Sequence, residues 1–553
     1  MIDVTGSESV AVVEIPPVAT AAQMVAGHIT LDISCLDRLY LTGFVAKLQT
    51  PGGVIYFLHD HRGQPIASPA LFEPIGAKFR KDMTDWAQAN GVPVVRFKAG
   101  DRKVEVMRPY LEQAAAVGGS KVVAIGRAQE FASVWTATRR DTDPGACPQF
   151  SFTKQQRQVL VFYVYIWDER VGPGFIKICT YFPYPIKVWV NGHEWAKRQA
   201  LAQGIGFTEL SNGFASCDDP AALQAICDTF TAGTAKVWFE RWMAKLPLPL
   251  TNTDRDAGFW WDLSMRQIET SRTLVFDDDC HARAFFEALL ADNMDLGRPE
   301  NVELLFRRGT RAGRPTHPPA GGFKTKIDRY CDLVTLNVFY KNSRCKQYLK
   351  DGVALRIETV VNDARDLRCN RMLHNLDALQ AKARAINTQL LETETVGQGT
   401  ALVSPVIERI TKPTVTDDGR KAPALRFGDL RVQALAGALA NMLFAVTAIT
   451  NKHLRVLMTG LLHRPYSMSQ ASYDLARLAR NGLIERVPNR NQYLLTSDGH
   501  VFTHIYTKVY DRVLHPLMAP HRPNAPPELL DALNTIDRIV TQRITDARVA
   551  TTA

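Results

Sequence analysis

The alternation of apolar and polar positions divides the chain before any motif does. Residues 1–27 are small and apolar with little periodicity, and read as a flexible leader. From His28 onward, short apolar runs at 39–48, 54–58, 92–97 and 121–125 alternate with helical patterns near 72–89 and 104–115. Strands separated by helices of this length predict an α/β layer over residues 28–138, with at least one parallel β-α-β step. Residues 139–158, which contain Asp-Pro-Gly and Cys-Pro, read as the linker that ends it.

The next region, residues 159–400, is expected to be an α+β domain. Leu160 to Trp167 is a nearly unbroken apolar run that suits a strand buried on both faces, and residues 175–181 return as its hairpin partner. A helix-rich stretch is predicted over 191–290. Runs at 333–340, 345–349 and 353–361 then predict a three-stranded meander with Asp351-Gly352 at a hairpin turn, followed by a helix over 367–392. Residues 404–428, rich in Pro, Thr and charge, are the clearest boundary. No internal repeat and no heptad pattern is found in the sequence.

Residues 425–520 make sense as one module, with 521–553 as a tail. A helical pattern over 430–449 precedes Thr450 or Asn451, either of which can cap a second helix to Leu462. Ser467-Met468-Ser469-Gln470 caps a third helix over 471–481, which ends at Gly482. Two strands, 483–487 and 492–496, flank the polar turn Pro488-Asn489-Arg490-Asn491. Tyr473, Leu475 and Leu478 are spaced to face the core, leaving Ser469, Gln470, Arg477 and Arg480 to project outward, with Arg486 and Arg490 on the hairpin. This order and the phrase S-Q-A-S-Y-D-L-A-R-L-A-R-N-G-L-I-E-R-V-P resemble the winged-helix fold of bacterial MarR-like regulators. The resemblance implies DNA contact through the six polar and basic residues just named; winged helices also serve as protein-docking modules.

Charge supports a polyanion partner. The 553 residues carry Lys+Arg 66 against Asp+Glu 56, a net +10. Between Thr450 and His515 there are nine Lys/Arg and four Asp/Glu, a net +5. A second basic segment contains Arg307, Arg308, Arg311, Arg314, Lys324 and Lys326 without an acid between Phe306 and Lys326. Its Gly313-Arg314-Pro315 is similar to the core of AT-hook peptides, which implies minor-groove contact; a solvated loop between strands is the alternative. DNA is thus the expected partner, with RNA open. The nine cysteines lack any CxxC pair, which suits a reducing compartment, and no apolar run reaches the roughly 18–20 residues of a membrane span. A cytoplasmic protein is the expectation.

Candidate chemistry lies in the meander. Arg356 and Glu358 alternate on one strand, and Lys346, Tyr348 and Lys350 on the next. A carboxylate beside lysines and a tyrosine can hold Mg2+ or Mn2+ against phosphate, or orient a tyrosine nucleophile; cross-strand ion pairs are the bland alternative. The phrase K-Q-Y-L-K-D-G-V-A-L-R-I-E resembles a stretch of plasmid and phage replication initiators, implying a nicking activity with Glu358 and Tyr348 catalytic and Lys346 and Arg356 holding phosphate. One acid seldom holds a catalytic divalent ion, so Glu358 needs a partner from another segment. Asp168, Glu169, His59 and His61 are the expected candidates, with Asp168 also a candidate catalytic acid. His193-Glu194 lacks a second histidine at Lys197, and no Walker A or Rossmann fingerprint occurs, so no nucleotide cofactor is expected. The body, with G-P-G-F-I-K-I and V-N-G-H-E-W-A-K-R-Q, resembles long bacterial proteins without an established activity. The predicted class is a multidomain α/β and α+β chain: an N-terminal α/β layer, a central mixed sheet with helices, and a C-terminal winged helix. Its expected function is nucleic-acid binding with metal-dependent nicking for a mobile element or replicon, or else non-catalytic regulation or scaffolding.

Overall fold

Two strands lying side by side in antiparallel register, residues 29–45 and 261–276, form the seam of the body. The computed structural model describes residues 27–140, 148–292, 303–307, 323–330, 333–396, 405–415, 419, 421–442 and 448–510, together with 531, 535, 538, 539 and 542. In chain order the first part of the body comprises β1 (Ile29–Val45), α1 (Phe72–Ala89), β2 (Val94–Arg96), α2 (Lys103–Val117), β3 (Lys121–Arg139), β4 (Phe150–Asp168), β5 (Gly172–Cys179) and β6 (Ile186–Asn191). Helix α3 (Gly192–Ala202), the hairpin of β7 (Phe207–Leu210) and β8 (Gly213–Cys217), α4 (Pro220–Asp228) and α5 (Ala232–Met243) follow. The second part contains β9 (Trp261–Phe276), α6 (Asp279–Asp292), β10 (Glu303–Arg307), β11 (Phe323–Tyr330), β12 (Leu333–Tyr340), β13 (Ser343–Lys350), β14 (Ala354–Val361) and α7 (Leu376–Val396).

All but β7 and β8 of these strands join one 12-stranded sheet in the order β10-β11-β12-β13-β14-β9-β1-β6-β5-β4-β3-β2. Read outward from the seam, each half repeats the same path. The last strand returns to pair with the first, and every pairing is antiparallel except the outermost, β2 with β3 and β10 with β11, which are parallel. The repeat that the sequence hides is therefore one of topology. The expected separation of residues 28–138 from 159–400 is replaced by a shared sheet. Residues 139 and 150–158 of the expected linker are strand, because β3 and β4 pair from Lys121 opposite Trp167 to Arg139 opposite Phe150.

Local chemistry explains the elements. On β4, Val161, Phe162, Val164 and Ile166 are all buried, as the continuous apolar run requires. Strand β9 lies within the stretch expected to be helical; its polar residues Ser264, Arg266 and Gln267 interrupt the apolar signal on its exposed part. Val54–Leu58, expected as a strand, is helical because Thr50 caps the turn and Pro51 opens it. The parallel step of β2, α2 and β3 is present as expected.

The C-terminal part contains α8 (Pro405–Thr411), α9 (Leu430–Met442), α10 (Asn451–Leu462), α11 (Met468–Arg480), β15 (Ile484–Arg486), β16 (Tyr493–Leu495) and α12 (Ser497–Val509). Thr450 caps α10, and Ser467 with Gln470 forms a reciprocal capping box at α11. Gly482, with φ of +71°, turns the chain into β15. These elements enclose their own core, including Ile410, Leu425, Leu439, Met458, Leu478 and Phe502. Arg368 of the body reaches His453 of α10 at 2.7 Å. Among the described residues, no helix is long and apolar enough to cross a membrane.

Because Ile410 and Leu425 belong to that core and the Leu425 N–H donates to the Ile410 carbonyl at 2.6 Å, the self-sufficient unit begins earlier than residue 425. A fragment of residues 405–510 is expected to melt cooperatively by circular dichroism. One starting at 425 should be less stable by about 2 kcal/mol or more, since a buried Ile is lost. Equal stability of the two fragments would place α8 outside the core.

Candidate functional site: a buried acid cluster at the sheet seam

Register brings the site together. Lys346 of β13 lies opposite Glu358 of β14 and Tyr348 opposite Arg356, so these four share one face, as their alternation predicts. On the other side of β14, Glu358 lies opposite Ser271 and Arg356 opposite Thr273 of β9. Strand β1 adds the acid that alternation alone does not reveal. Leu36 is opposite Thr270 and Arg38 opposite Glu269, which leaves Asp37 as the extra residue of a β-bulge. Bulges re-aim a side chain, and this one aims Asp37 into the seam.

Asp37, Glu269 and Glu358 are all buried, and each offers a carboxylate oxygen within 4.8 Å of the other two. Arg356, with no exposed surface, pairs with Asp37 through Nη2 and with Glu358 through Nε at 2.5 Å. Lys346 pairs with the other Glu358 oxygen, and the Tyr348 hydroxyl donates to Glu358 Oε1 at 2.6 Å. Asp37 Oδ1 accepts from Ser271 Oγ at 2.7 Å and from His193 Nε2 at 2.5 Å. His193 is held there because Asn191 caps α3, accepting from the backbone N–H of His193. Over Arg356 the β7–β8 turn closes, its Asn212 carbonyl accepting from Arg356 Nη1 and, at 3.1 Å, from Lys350 Nζ.

The electrostatics follow from this packing. Burial opposes ionisation of Asp37, but Arg356 and His193 outweigh it and hold the carboxyl well below the usual range. Burial alone would lower the His193 pKa, yet the Cys35 and Asp37 side chains push it up to about 9. Burial pushes the Glu269 carboxyl up against the pull of Arg38 and Lys346. Burial and the neighbouring Glu358 hold the Tyr348 phenol above its ordinary range, so it rests as a hydrogen-bond donor. The three carboxylates form a group able to hold a metal ion, and such a cation would favour the ionised form of Glu269.

None of the four expected partners of Glu358 joins it. Asp168 is buried but pairs with Arg241 and accepts from Trp242 Nε1 at 2.7 Å. Glu169 accepts from the Gly119 N–H at 2.7 Å. His59 and His61 lie on a helical turn, His59 beside Asp60 and His61 on Asp254 at 2.8 Å. The acids that do converge, Asp37 and Glu269, were missed, as was His193 as a ligand of Asp37. The one sequence signal was an acid inside an apolar strand, Cys35-Leu36-Asp37-Arg38-Leu39. Asp277, between His28 and His281 at 2.9 Å from each, forms a separate surface cluster.

In the C-terminal part, Ser469, Gln470, Arg480, Arg486 and Arg490 are exposed. Gln470 is engaged in its capping box, and Arg486 braces the hairpin turn by donating to the Arg490 carbonyl at 3.1 Å. Arg477 departs from expectation: it is buried and donates to the Pro423 and Ala424 carbonyls, since its position on α11 faces the 421–425 segment. Tyr473 is the converse, 49% exposed rather than in the core. Arg307 ends β10, whose side chains lie outside the described residues, as do Arg308, Arg311 and Arg314.

A second polar cluster sits in the first half, where Glu130 accepts from Lys103 at 2.6 Å, from Tyr163 at 2.7 Å and from Lys177. Comparison with protein-family models, curated proteins and solved structures gives no match for this chain.

Replacing Arg356 by Met should destabilise the protein by about 3–5 kcal/mol in urea unfolding, because Asp37 and Glu358 would be left buried and short of a cation. A loss under about 1 kcal/mol would show that water or Lys346 compensates. Glu130 supplies a pH signature. Burial opposes its ionisation, but the Lys103, Lys177 and Tyr163 hydrogen bonds outweigh burial and hold it at about 2, below its ordinary 4.5. Its contribution is therefore complete above pH 4.5 and lost as pH falls toward 2. Melting curves of Glu130→Gln should converge on wild type across that interval, and a constant offset would refute the assignment.

Proposed function

We propose that this chain is a nucleic-acid-binding protein whose body carries a metal-dependent phosphodiester-cleaving site. The observation that supports it is the convergence of Asp37, Glu269 and Glu358 from three neighbouring strands, with Tyr348 hydrogen-bonded to one of them. Those carboxylates would hold Mg2+ or Mn2+, which supplies charge stabilisation at the transferring phosphoryl group. Tyr348 is the proposed nucleophile: its oxygen would bond to phosphorus, its proton passing to Glu358, while the P–O bond to the adjoining nucleotide breaks and that leaving oxygen takes a proton from water. Lys350 flanks Tyr348 as the phosphate-holding cation, whereas Arg356 and Lys346 serve as internal counter-ions of the carboxylates.

The C-terminal helices and hairpin support the winged-helix reading, in which Ser469, Arg480, Arg486 and Arg490 meet DNA, Tyr473 adds an aromatic contact, and Arg477 buttresses the unit from inside. Nicking for a replicon or mobile element is the specific form of the proposal, with RNA binding as a variant. A cytoplasmic setting agrees with Cys35, Cys179, Cys217, Cys227, Cys280, Cys345 and Cys369 being free thiols. The second reading, a non-catalytic regulator or scaffold, is favoured by one observation: Arg356 and Lys346 already neutralise Glu358.

Conversion of supercoiled plasmid to nicked circles with Mg2+ or Mn2+ separates the two. Glu358→Gln should lower the rate about 100-fold or more while leaving DNA affinity unchanged, and Tyr348→Phe should abolish any covalent protein–DNA adduct. No metal-dependent cleavage by the wild type, or full cleavage by Glu358→Gln, would overturn the catalytic reading in favour of the regulator.

A further inference from the structure

The outer edge of the first half carries a surface that the acid cluster does not use. Strands β2 and β3 run parallel with Arg96 directly opposite Arg127, and both side chains are exposed. The nearby acids are engaged elsewhere: Glu130 with Lys103 and Lys177, Glu73 with Arg80, and Asp101 with the backbone N–H of Lys98. Like charges facing each other on adjacent strands destabilise a sheet, so an anion between these two guanidinium groups would relieve a cost that the fold carries without it. Arg127 is further fixed by lying over the Phe162 ring, 6.0 Å from its centroid.

The two arginines border a cavity of about 890 Å³ that also takes in Lys98, Gln129 and Gln158. This cavity shares Arg127, Gln129, Gln158 and Leu160 with a second of about 680 Å³ that extends to Arg157, so the two form one trough. Arg127, Gln129 and Phe131 alternate onto one face of β3. Phe131 lies opposite Gln158 and is 73% exposed. It stands about 13 Å along the strand from Arg127. A cationic trough with an exposed aromatic ring on the same strand face beside it is the combination that holds unpaired nucleotides, with phosphates on the cations and a base stacked on the ring.

We propose that this trough binds single-stranded nucleic acid, its phosphates between Arg96 and Arg127 and a base on Phe131. The inference rests on the nucleic-acid reading above and names the surface that would hold an opened strand. Bidentate arginines suit phosphate oxygens, and the glutamine amides of Gln129 and Gln158 supply base- or sugar-directed donors and acceptors.

The test uses the full chain, a fluorescein-labelled oligothymidylate of about 20 nucleotides and a duplex of equal length, titrated across salt concentrations. Arg96→Ala/Arg127→Ala should weaken single-strand binding and make its log–log salt dependence shallower by about 1.4, the value for two phosphate contacts. Its melting temperature without nucleic acid should hold or rise, because a repulsion has been removed. Phe131→Ala should weaken binding about ten-fold or more with the salt slope unchanged. Wild-type binding with both variants unaltered would overturn the trough and leave the nucleic-acid reading standing. Duplex binding without single-strand binding would do the same. No binding of either nucleic acid by the wild type would overturn both.

Discussion

The body depends on a single buried cation. Arg356 comes from the second half of the sheet and Asp37 from the first, so their ion pair crosses the β1–β9 seam. The same guanidinium reaches Glu358 on its own strand and the Asn212 carbonyl in the hairpin above. A buried arginine is tolerable only when opposed charges and acceptors surround it, and a buried pair of carboxylates only with such a cation. The bulge at Asp37, the cap that fixes His193 and the closure of the β7–β8 turn all serve this requirement.

Two copies of one strand path make the frame, yet the chemistry is asymmetric. Strand β14 brings Arg356 and Glu358 to the seam, whereas β6, its topological counterpart, brings Lys187 and Trp189. Burial and the neighbouring Lys177 and Arg266 lower the Lys187 pKa to about 8 against the opposing pull of Glu130, as suits a cation-rich setting. A repeated strand path need not repeat a site, because within the sheet the two halves pair with each other only through β1 and β9. The acids from β1, β9 and β14 meet there and nowhere else among the described residues.

The legible parts of this sequence are those where one segment carries its own signal. Alternation on β13 and β14 placed Lys346, Tyr348, Arg356 and Glu358 on one face, and the register agrees. The capping residues Thr450 and Ser467 and the glycine at 482 marked the C-terminal helices. What stayed hidden involves neighbours far apart in sequence. Periodicity states which residues of a strand share a face, not which strand lies beside it, so Asp37 and Glu269 gave no sign of Glu358. Asp37 was doubly concealed, since a bulge breaks the alternation that would have assigned its face. Arg477 and Tyr473 exchanged roles because the buried arc of this helix is wider than the stripe of Ala471, Leu475 and Leu478: the 421–425 segment covers the edge that Arg477 occupies, and Tyr473 falls on the outward side with Ser472 and Arg480.

The cations of the chain fall into a buried set and an exposed set. At the acid cluster, Arg356 and Lys346 are spent on carboxylates, so that centre presents little net positive charge to an approaching polyanion. Long-range attraction falls instead to side chains in solvent: Arg480, Arg486 and Arg490 in the C-terminal part, and Arg96 and Arg127 at the sheet edge. Such exposed charges are screened by salt, whereas the buried pairs are not. Raising ionic strength therefore acts first on the exposed cations and leaves the architecture of the acid cluster intact. Under the proposed function, affinity and turnover would respond to different residues, because the exposed cations are not those that hold the carboxylates in place.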